Sequence, residues 1–297
     1  MISFDYIMFI VSLVGIYGLI AMALNLQVGH GGLINFGLVA YVGLGAYAYA
    51  MVTKTAGLSW ALGLVAALLI GLVAGYLSVA AFLELRKEYL AIVALSLGEL
   101  LRYFYTNESS LTGGVTGIVD LNRPLHAFSR SLGISYEITW GMICLLVLAL
   151  AYLAINWIIK SPFGRLLRAI SSDEKICESV GRDVNSIRRK TWILGSAAFS
   201  LAGALMAVYF NSVFPSFFGT HVTFFIWTIM IVGGLGSSTG VLLATVLIVP
   251  FEEFTNYLMA ATGMLQLAAL RGVFYGLLIV LVLRFRPQGI LGKRKVD

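Results

Sequence analysis

Apolar runs about as long as a bilayer is thick recur from one end of this chain to the other, and they leave little choice of fold. The stretch WALGLVAALLIGLVAGYLSVAAF (60–82) carries no charge on any face. About 20 such residues cross roughly 30 Å of hydrocarbon as a helix. Outer-membrane barrels show alternating segments of about ten residues instead, so a barrel is excluded. Composition agrees: 60% of the 297 residues are hydrophobic and 11% charged, whereas soluble domains carry about 25% charge. The reading is an all-α, polytopic helical membrane protein, with residues 1–297 forming a single domain.

Candidate spans fall at about 6–26, 33–52, 58–83, 89–106, 137–159, 191–212, 221–235, 239–262 and 272–284. That gives nine within a range of eight to ten, some of them short or discontinuous. The segment 221–235 is below the usual spanning length and is read as re-entrant or tilted in a protein-lined cavity. MISFDY opens with an acid rather than the basic region of a signal peptide, so the first run is expected to stay.

The net charge of +6 could suggest nucleic acid, but that needs a basic face on a soluble fold. Here the cations lie at the ends of apolar runs, so no nucleic-acid partner is expected. Segment 160–190 holds eight cations (Lys160, Arg165, Arg168, Lys175, Arg182, Arg188, Arg189, Lys190). The C-terminus holds five more (Arg284, Arg286, Lys293, Arg294, Lys295), and Arg86 and Lys87 occupy a turn. Positively charged loops stay cytoplasmic. Nine spans place all three groups on that side, leaving the N-terminus and the 107–136 loop outside and the C-terminus in the cytoplasm.

Charges inside spans are costly and by default mark a pair or a pathway. Glu99 and Arg102 share a helix face near the outer end of the fourth span; a local ion pair and a pathway role are both open. Glu252 and Glu253 follow Pro250, which removes a helical hydrogen bond and bends or interrupts the eighth span. At least one of the two carboxylates is a candidate to line a polar cavity or subunit contact. Asn25, Gln27, His30 and Asn35 surround the pair Gly31 and Gly32. A break there frees backbone groups that amide side chains could satisfy; alternatively the broken helix lines a translocation route. Asn25, Gln27 and Asn35 are candidate pathway residues on the second reading.

Catalytic and metal signatures are missing. There is no H-E-x-x-H, G-x-S-x-G or P-loop, and GGLGSSTG (233–240) lacks the dinucleotide spacing. That cluster reads as a tight turn. Gly71 with Gly75, and Gly236 with Gly240, have the small-xxx-small spacing that permits close helix approach. His30, His126 and His221 have no second ligand at metal spacing. Cys144 and Cys177 are expected to be free thiols, and no cofactor is expected.

The polar segment KSPFGRLLRAISSDEKICESVGRDVNSIRRK predicts an amphipathic helix after Pro162 with Leu166, Leu167 and Ile170 on one face. A short helix around 176–180 follows, ended by Gly181. Such a unit suits docking into a partner's groove or lying on lipid. Five motifs in order, ALNLQVGHGGLINFGLVAYVGLGAYAYA, LTGGVTGI, SPFGRLLRAISSDEKICESVG, IVGGLGSSTGVLLATVLIVPFEE and RGVFYGLLIVLVLRFRPQGILG, resemble the M-type permease subunits of branched-chain amino acid ABC importers over nearly the whole chain.

The resemblance implies a transmembrane permease of the bacterial inner membrane that forms the translocation pathway and does not itself hydrolyse ATP. It implies an H-type permease partner, two ATP-binding cassette subunits and an extracytoplasmic substrate-binding protein, for which loop 107–136 is the candidate surface. By similarity, 160–190 is the coupling segment, with Glu174, Glu178 and Gly181 at its signature positions. Cys177, Ser179 and Arg182 depart from the alanine-rich form of that signature. The substrates implied are leucine, isoleucine and valine. Permeases for urea, short amides or other small solutes look similar, and an ion-coupled carrier using Glu99 or Glu252 is the alternative from another class.

Overall fold

A computed structural model describes residues 4–82, 85, 87–131, 133–262, 266–286 and 288–291. Within them the chain forms α1 (Phe4–Leu24), α2 (Leu38–Ala50), α3 (Trp60–Phe82), α4 (Lys87–Asn107), α5 (Ser109–Thr112), α6 (His126–Ser131), α7 (Tyr136–Lys160), α8 (Pro162–Ser172), α9 (Glu174–Ser179), α10 (Val184–Phe210), α11 (Thr220–Gly233), α12 (Ser238–Thr262) and α13 (Gln266–Phe285). Two short strands, β1 (Ile118–Val119) and β2 (Ser212–Val213), pair antiparallel. The all-α architecture is as the apolar runs require. Arg86, Lys293, Arg294 and Lys295, used above to orient the chain, lie outside the described residues.

Five helices, α1 with its continuation to His30, α3, α7, α10 and α12, are long and apolar enough to cross a membrane. The spanning windows of α1 and α10 are 67% buried, against 17–28% for the other three. These two therefore form the inner layer. α10 packs on α1, α2 and α3, while α1 packs on α7, α10 and α12. Small residues explain why α10 can take neighbours on several sides. Gly71 and Gly75 of α3 lie over Ser200 and Ser196, where an added Cβ would come within 2.5 and 2.8 Å of the serine Cβ atoms. Matching four-residue spacings thus bring the two backbones together. On the other flank, a Cβ on Gly45 of α2 would meet the Ser200 carbonyl at 1.9 Å, and one on Gly203 the Val42 carbonyl at 1.9 Å.

Several boundaries differ from the sequence reading. The span expected at 33–52 begins only at Leu38 and ends in a π-helical turn, Met51–Thr55. Gly32 adopts φ +65°, and residues 33–37 run without helix because Asn35 is held by tertiary bonds. The 221–235 segment is the 14-residue α11, about 21 Å long at ~1.5 Å per residue, well short of the hydrocarbon. Helix α12 runs unbroken through Pro250, so the proline forfeits one N–H bond without interrupting the span. Gly236 and Gly240 do not form a helix-packing stripe. Gly236 turns at φ +78°, and Gly240 lies against the Gly233 carbonyl in the α11–α12 turn.

Contacts tie the connecting segments together at the two ends of the helices. The β1–β2 pairing and the Leu121 N–H to Asn211 O bond (3.2 Å) tie the 107–136 loop to the end of α10, while Lys54 Nζ donates to the Val119 carbonyl from the end of α2. At the opposite ends, α8 packs beside the end of α1, and the Ile290 N–H donates to Val232 O (2.9 Å) after α11.

Candidate functional site

Three places carry the chemistry that the sequence singles out. The first is the end of α1, where the helix widens into a π turn over Asn25–His30 before the chain leaves helical geometry. Widening and then stopping strands backbone groups inside the protein, and buried groups without partners are costly. Leu33 N–H donates to Gln27 O (2.9 Å) and Gly32 N–H to Val28 O (3.0 Å). Side chains partner two further backbone groups and brace the break against its neighbours. Gln27 Nε2 donates to the Trp192 carbonyl on α10 (2.9 Å), and Asn35 Nδ2 donates to Gln27 Oε1 (2.9 Å). Gly37 N–H donates to Asn35 Oδ1 (2.9 Å), and Trp227 Nε1 donates to the Asn35 carbonyl (3.2 Å). Asn25 Oδ1 accepts the Gly236 N–H (2.8 Å) from the α11–α12 turn. Asn25, Gln27 and Asn35 are fully buried. All three sequence-selected amides therefore converge on this break and bind backbone or one another.

Trp192 was not singled out from the sequence, yet it anchors this region. Its Nε1 donates to Tyr41 OH and Ser78 Oγ (both 3.0 Å), and the Tyr41 hydroxyl donates to Ser78 Oγ (2.7 Å). One indole thus joins α2, α3 and α10 while its carbonyl receives Gln27. The available sequence signal was weak: a tryptophan at the point where the charged segment becomes apolar.

The second place is the 160–190 segment. Ser161 Oγ caps α8 by accepting Gly164 N–H (3.4 Å), and Pro162 occupies the first turn. Asp173 Oδ1 caps α9 by accepting Ile176 N–H (3.1 Å), and Asp183 Oδ1 caps α10 by accepting Ser186 N–H (2.9 Å). The short helix begins at Glu174, two residues before the expected start. Gly181 is left-handed at φ +76°, where glycine ends a helix at little cost. Ile170, Cys177 and Val184 form a small core under Leu166 and Ile187. Glu174 pairs with Arg188 at 2.5 Å, across α9 and α10. Arg188 is only 8% exposed, so this pair holds the unit together from within. Glu178 and Gly181 are exposed, and beside them Ile176 and Val180 are 62% and 71% exposed. An apolar edge is thereby presented away from the unit's own core.

The third place is a cavity of about 620 Å³ among α1, α11, α12 and α13, lined by Tyr17, His221, Glu252, Glu253, Asn256 and Tyr275 among others. Tyr275 OH donates to Glu252 Oε2, and Asn256 Nδ2 donates to Glu253 Oε1 (3.3 Å). Both carboxylates are half-buried. Glu99 and Arg102 form a local ion pair at 2.7 Å. Thr220 Oγ1 also donates to Glu99, linking α4 to the start of α11.

Comparison with known proteins adds the family. Residues 6–283 match the family described as branched-chain amino acid transport system / permease component. The high-affinity branched-chain amino acid transport system permease protein LivM of Salmonella typhimurium is 32% identical over 93% of this chain and 68% of its own. The Escherichia coli LivM protein is 31% identical over 95% and 69%. LivH of Salmonella typhimurium is 25% identical over 97% and 94%. No solved structure matches. Spanning helices and a match over almost the full length agree, and the chain belongs to the branched-chain amino acid transport permease family.

Proposed function

We propose that this chain is the M-type permease subunit of a high-affinity importer for leucine, isoleucine and valine. It works beside an H-type permease, two ATP-binding cassette subunits and an extracytoplasmic binding protein. The observation that carries the reading is the built-out α8–α9 unit. Three side-chain caps, an internal ion pair and a small core fix its shape, yet Ile176 and Val180 are left uncovered next to Gly181. A rigid helix with an uncovered apolar edge suits docking into a groove. Force applied there by an ATPase reaches α10 directly through the Glu174–Arg188 pair and α1 through α8.

In this reading Glu178 and Gly181 meet the ATPase, and Glu174 stiffens the unit. ATP hydrolysis belongs to the partner subunits, and this chain supplies passage and transmission. The amides Asn25, Gln27 and Asn35 hold the helix break on which α1 and α2 pivot along the pathway. Glu252 and Glu253 offer negative charge to the ammonium of a passing amino acid, with aromatic walls for its apolar side chain. Apolar burial of about 25 cal/mol per Å² is enough to favour such passage without a tight site. The face bearing α8 and α9 is cytoplasmic, the N-terminus and the 107–136 loop are outside, and the membrane is the inner one.

The test is reconstitution with the neighbouring subunits in vesicles. Uptake of labelled leucine should need ATP and the binding protein, and Glu252→Gln/Glu253→Gln should lower uptake with assembly intact. Uptake by this chain alone down an ion gradient would sink the importer reading.

A further inference from the structure

A second cavity, about 730 Å³ in volume, lies where the end of α1, the last turn of α7, α8 and the start of α12 meet, and nothing above gives it a task. Lys160 and Arg168 line it, and neither has an ion-pair partner among the described residues. No lining residue is acidic, while Ser171, Ser172, Ser238 and Thr239 bring hydroxyls. Helix α12, 25 residues long, starts here, and the dipole at its N-terminus adds positive charge at the wall. His30 lines the same space; it is 6% exposed, and its Nε2 has no hydrogen-bond partner. These groups all favour an anion. A zwitterionic amino acid would bring its ammonium beside two cations with no carboxylate to receive it.

Depth selects the kind of anion. Lys160 is the last residue of a 25-residue apolar helix, and Trp157, one turn earlier, is 76% exposed. An outward-facing tryptophan just inside a lysine marks the headgroup level of a bilayer. Val28, Ile159, Leu235 and Leu291 give the cavity an apolar wall, which suits the glycerol and upper acyl carbons of a lipid. Basic pockets between spanning helices are known to receive anionic headgroups.

We propose that this cavity binds the phosphodiester headgroup of an anionic phospholipid, with Lys160 and Arg168 as its charge partners. The bound headgroup ties α8 to the π turn of α1, so a lipid sits at the joint between the candidate coupling segment and the helix break. The inference rests on the membrane fold and not on the substrate assignment.

Native mass spectrometry of the assembled complex, titrated with phosphatidylglycerol, reads the binding. Lys160→Gln/Arg168→Gln should weaken it about tenfold or more, while Lys160→Arg/Arg168→Lys should retain it. Arg165→Gln/Lys175→Gln removes the same charge from exposed positions outside the cavity and should leave binding unchanged. In the wild-type complex, a photoactivatable phosphatidylglycerol should crosslink to peptides containing 156–160 or 171–172, which keeps the test open if the double variant fails to assemble. Equal weakening by both glutamine pairs would show a diffuse surface attraction and overturn the site, as would crosslinks confined to other peptides. Displacement of the lipid by inorganic phosphate at matched concentration would overturn the lipid assignment in favour of a soluble anion.

Discussion

Gln27→Ala tests whether the helix break is held as described. The side chain donates to the Trp192 carbonyl and accepts from Asn35, both at 2.9 Å and all fully buried. Hydrogen bonds between helices in membrane proteins contribute about 0.6 kcal/mol each on average and up to about 1.7, and leaving buried partners unpaired adds to the loss. Two bonds and a small void together put the cost at about 2–3 kcal/mol. Gly195 supplies the second arm, because a Cβ there would stand 2.3 Å from Gln27 Nε2 and 2.5 Å from its Cδ. Gly195→Ala therefore overpacks, at about 1–3 kcal/mol, offset by up to about 1 kcal/mol of helix propensity. In the double variant the added methyl enters space that Gln27 has vacated. Its destabilisation should fall short of the sum of the singles by about 1–2 kcal/mol. The assay is reversible unfolding of the intact chain in mixed micelles, followed by tryptophan fluorescence. Additivity within about 0.5 kcal/mol, or a Gln27→Ala variant as stable as the parent, would refute the contact between α1 and α10.

Ile176→Asp and Val180→Asp alter exposed apolar side chains, so stability should change by no more than about 0.5 kcal/mol; co-purification of the ATPase subunits should nevertheless be lost, and retained association would remove the docking assignment. Glu174→Arg leaves the nearly buried Arg188 facing a like charge and should speed proteolysis within 173–183; adding Arg188→Glu should restore the parental rate, whereas no recovery would mean that the pair does not hold α9. Leu111→Cys and Val180→Cys, both at exposed positions before and after α7, should react with a membrane-impermeant maleimide from opposite sides of intact cells and inverted vesicles. The parent's Cys144 and Cys177 are buried and should react slowly in both; labelling of the two introduced thiols from one side would refute the crossing expected of α7.

Helices such as α3 and α7 were legible because, Lys160 at the end of α7 apart, their exposed residues are apolar or aromatic, so their identity depends on nothing elsewhere in the chain. The α8–α9 unit was legible for a related reason: Ser161, Asp173, Asp183 and Gly181 act within three residues of themselves, and local rules suffice. The break after α1 was visible as Gly31 and Gly32, but its geometry was not. A π turn and a non-helical stretch survive at membrane depth only if their backbone groups find partners. Here the Asn35 carbonyl takes its partner from Trp227, and the amide side chains that brace the break reach Trp192 and Gly236, all more than 150 positions along the chain. No window of sequence contains both ends of such a bond, so the start of α2 at Leu38 and the role of Trp192 could not be read locally. The same reasoning explains why the amides left two meanings open. A buried amide that closes a break and one that lines a passage look alike in sequence, and which it is depends on what stands across from it. For Gln27 and Asn35, donor and acceptor atoms are both engaged. Asn25 Nδ2 and His30 Nε2 are buried side-chain atoms of this break with no hydrogen-bond partner among the described residues, so at these two positions local contacts do not decide the meaning of the polar group.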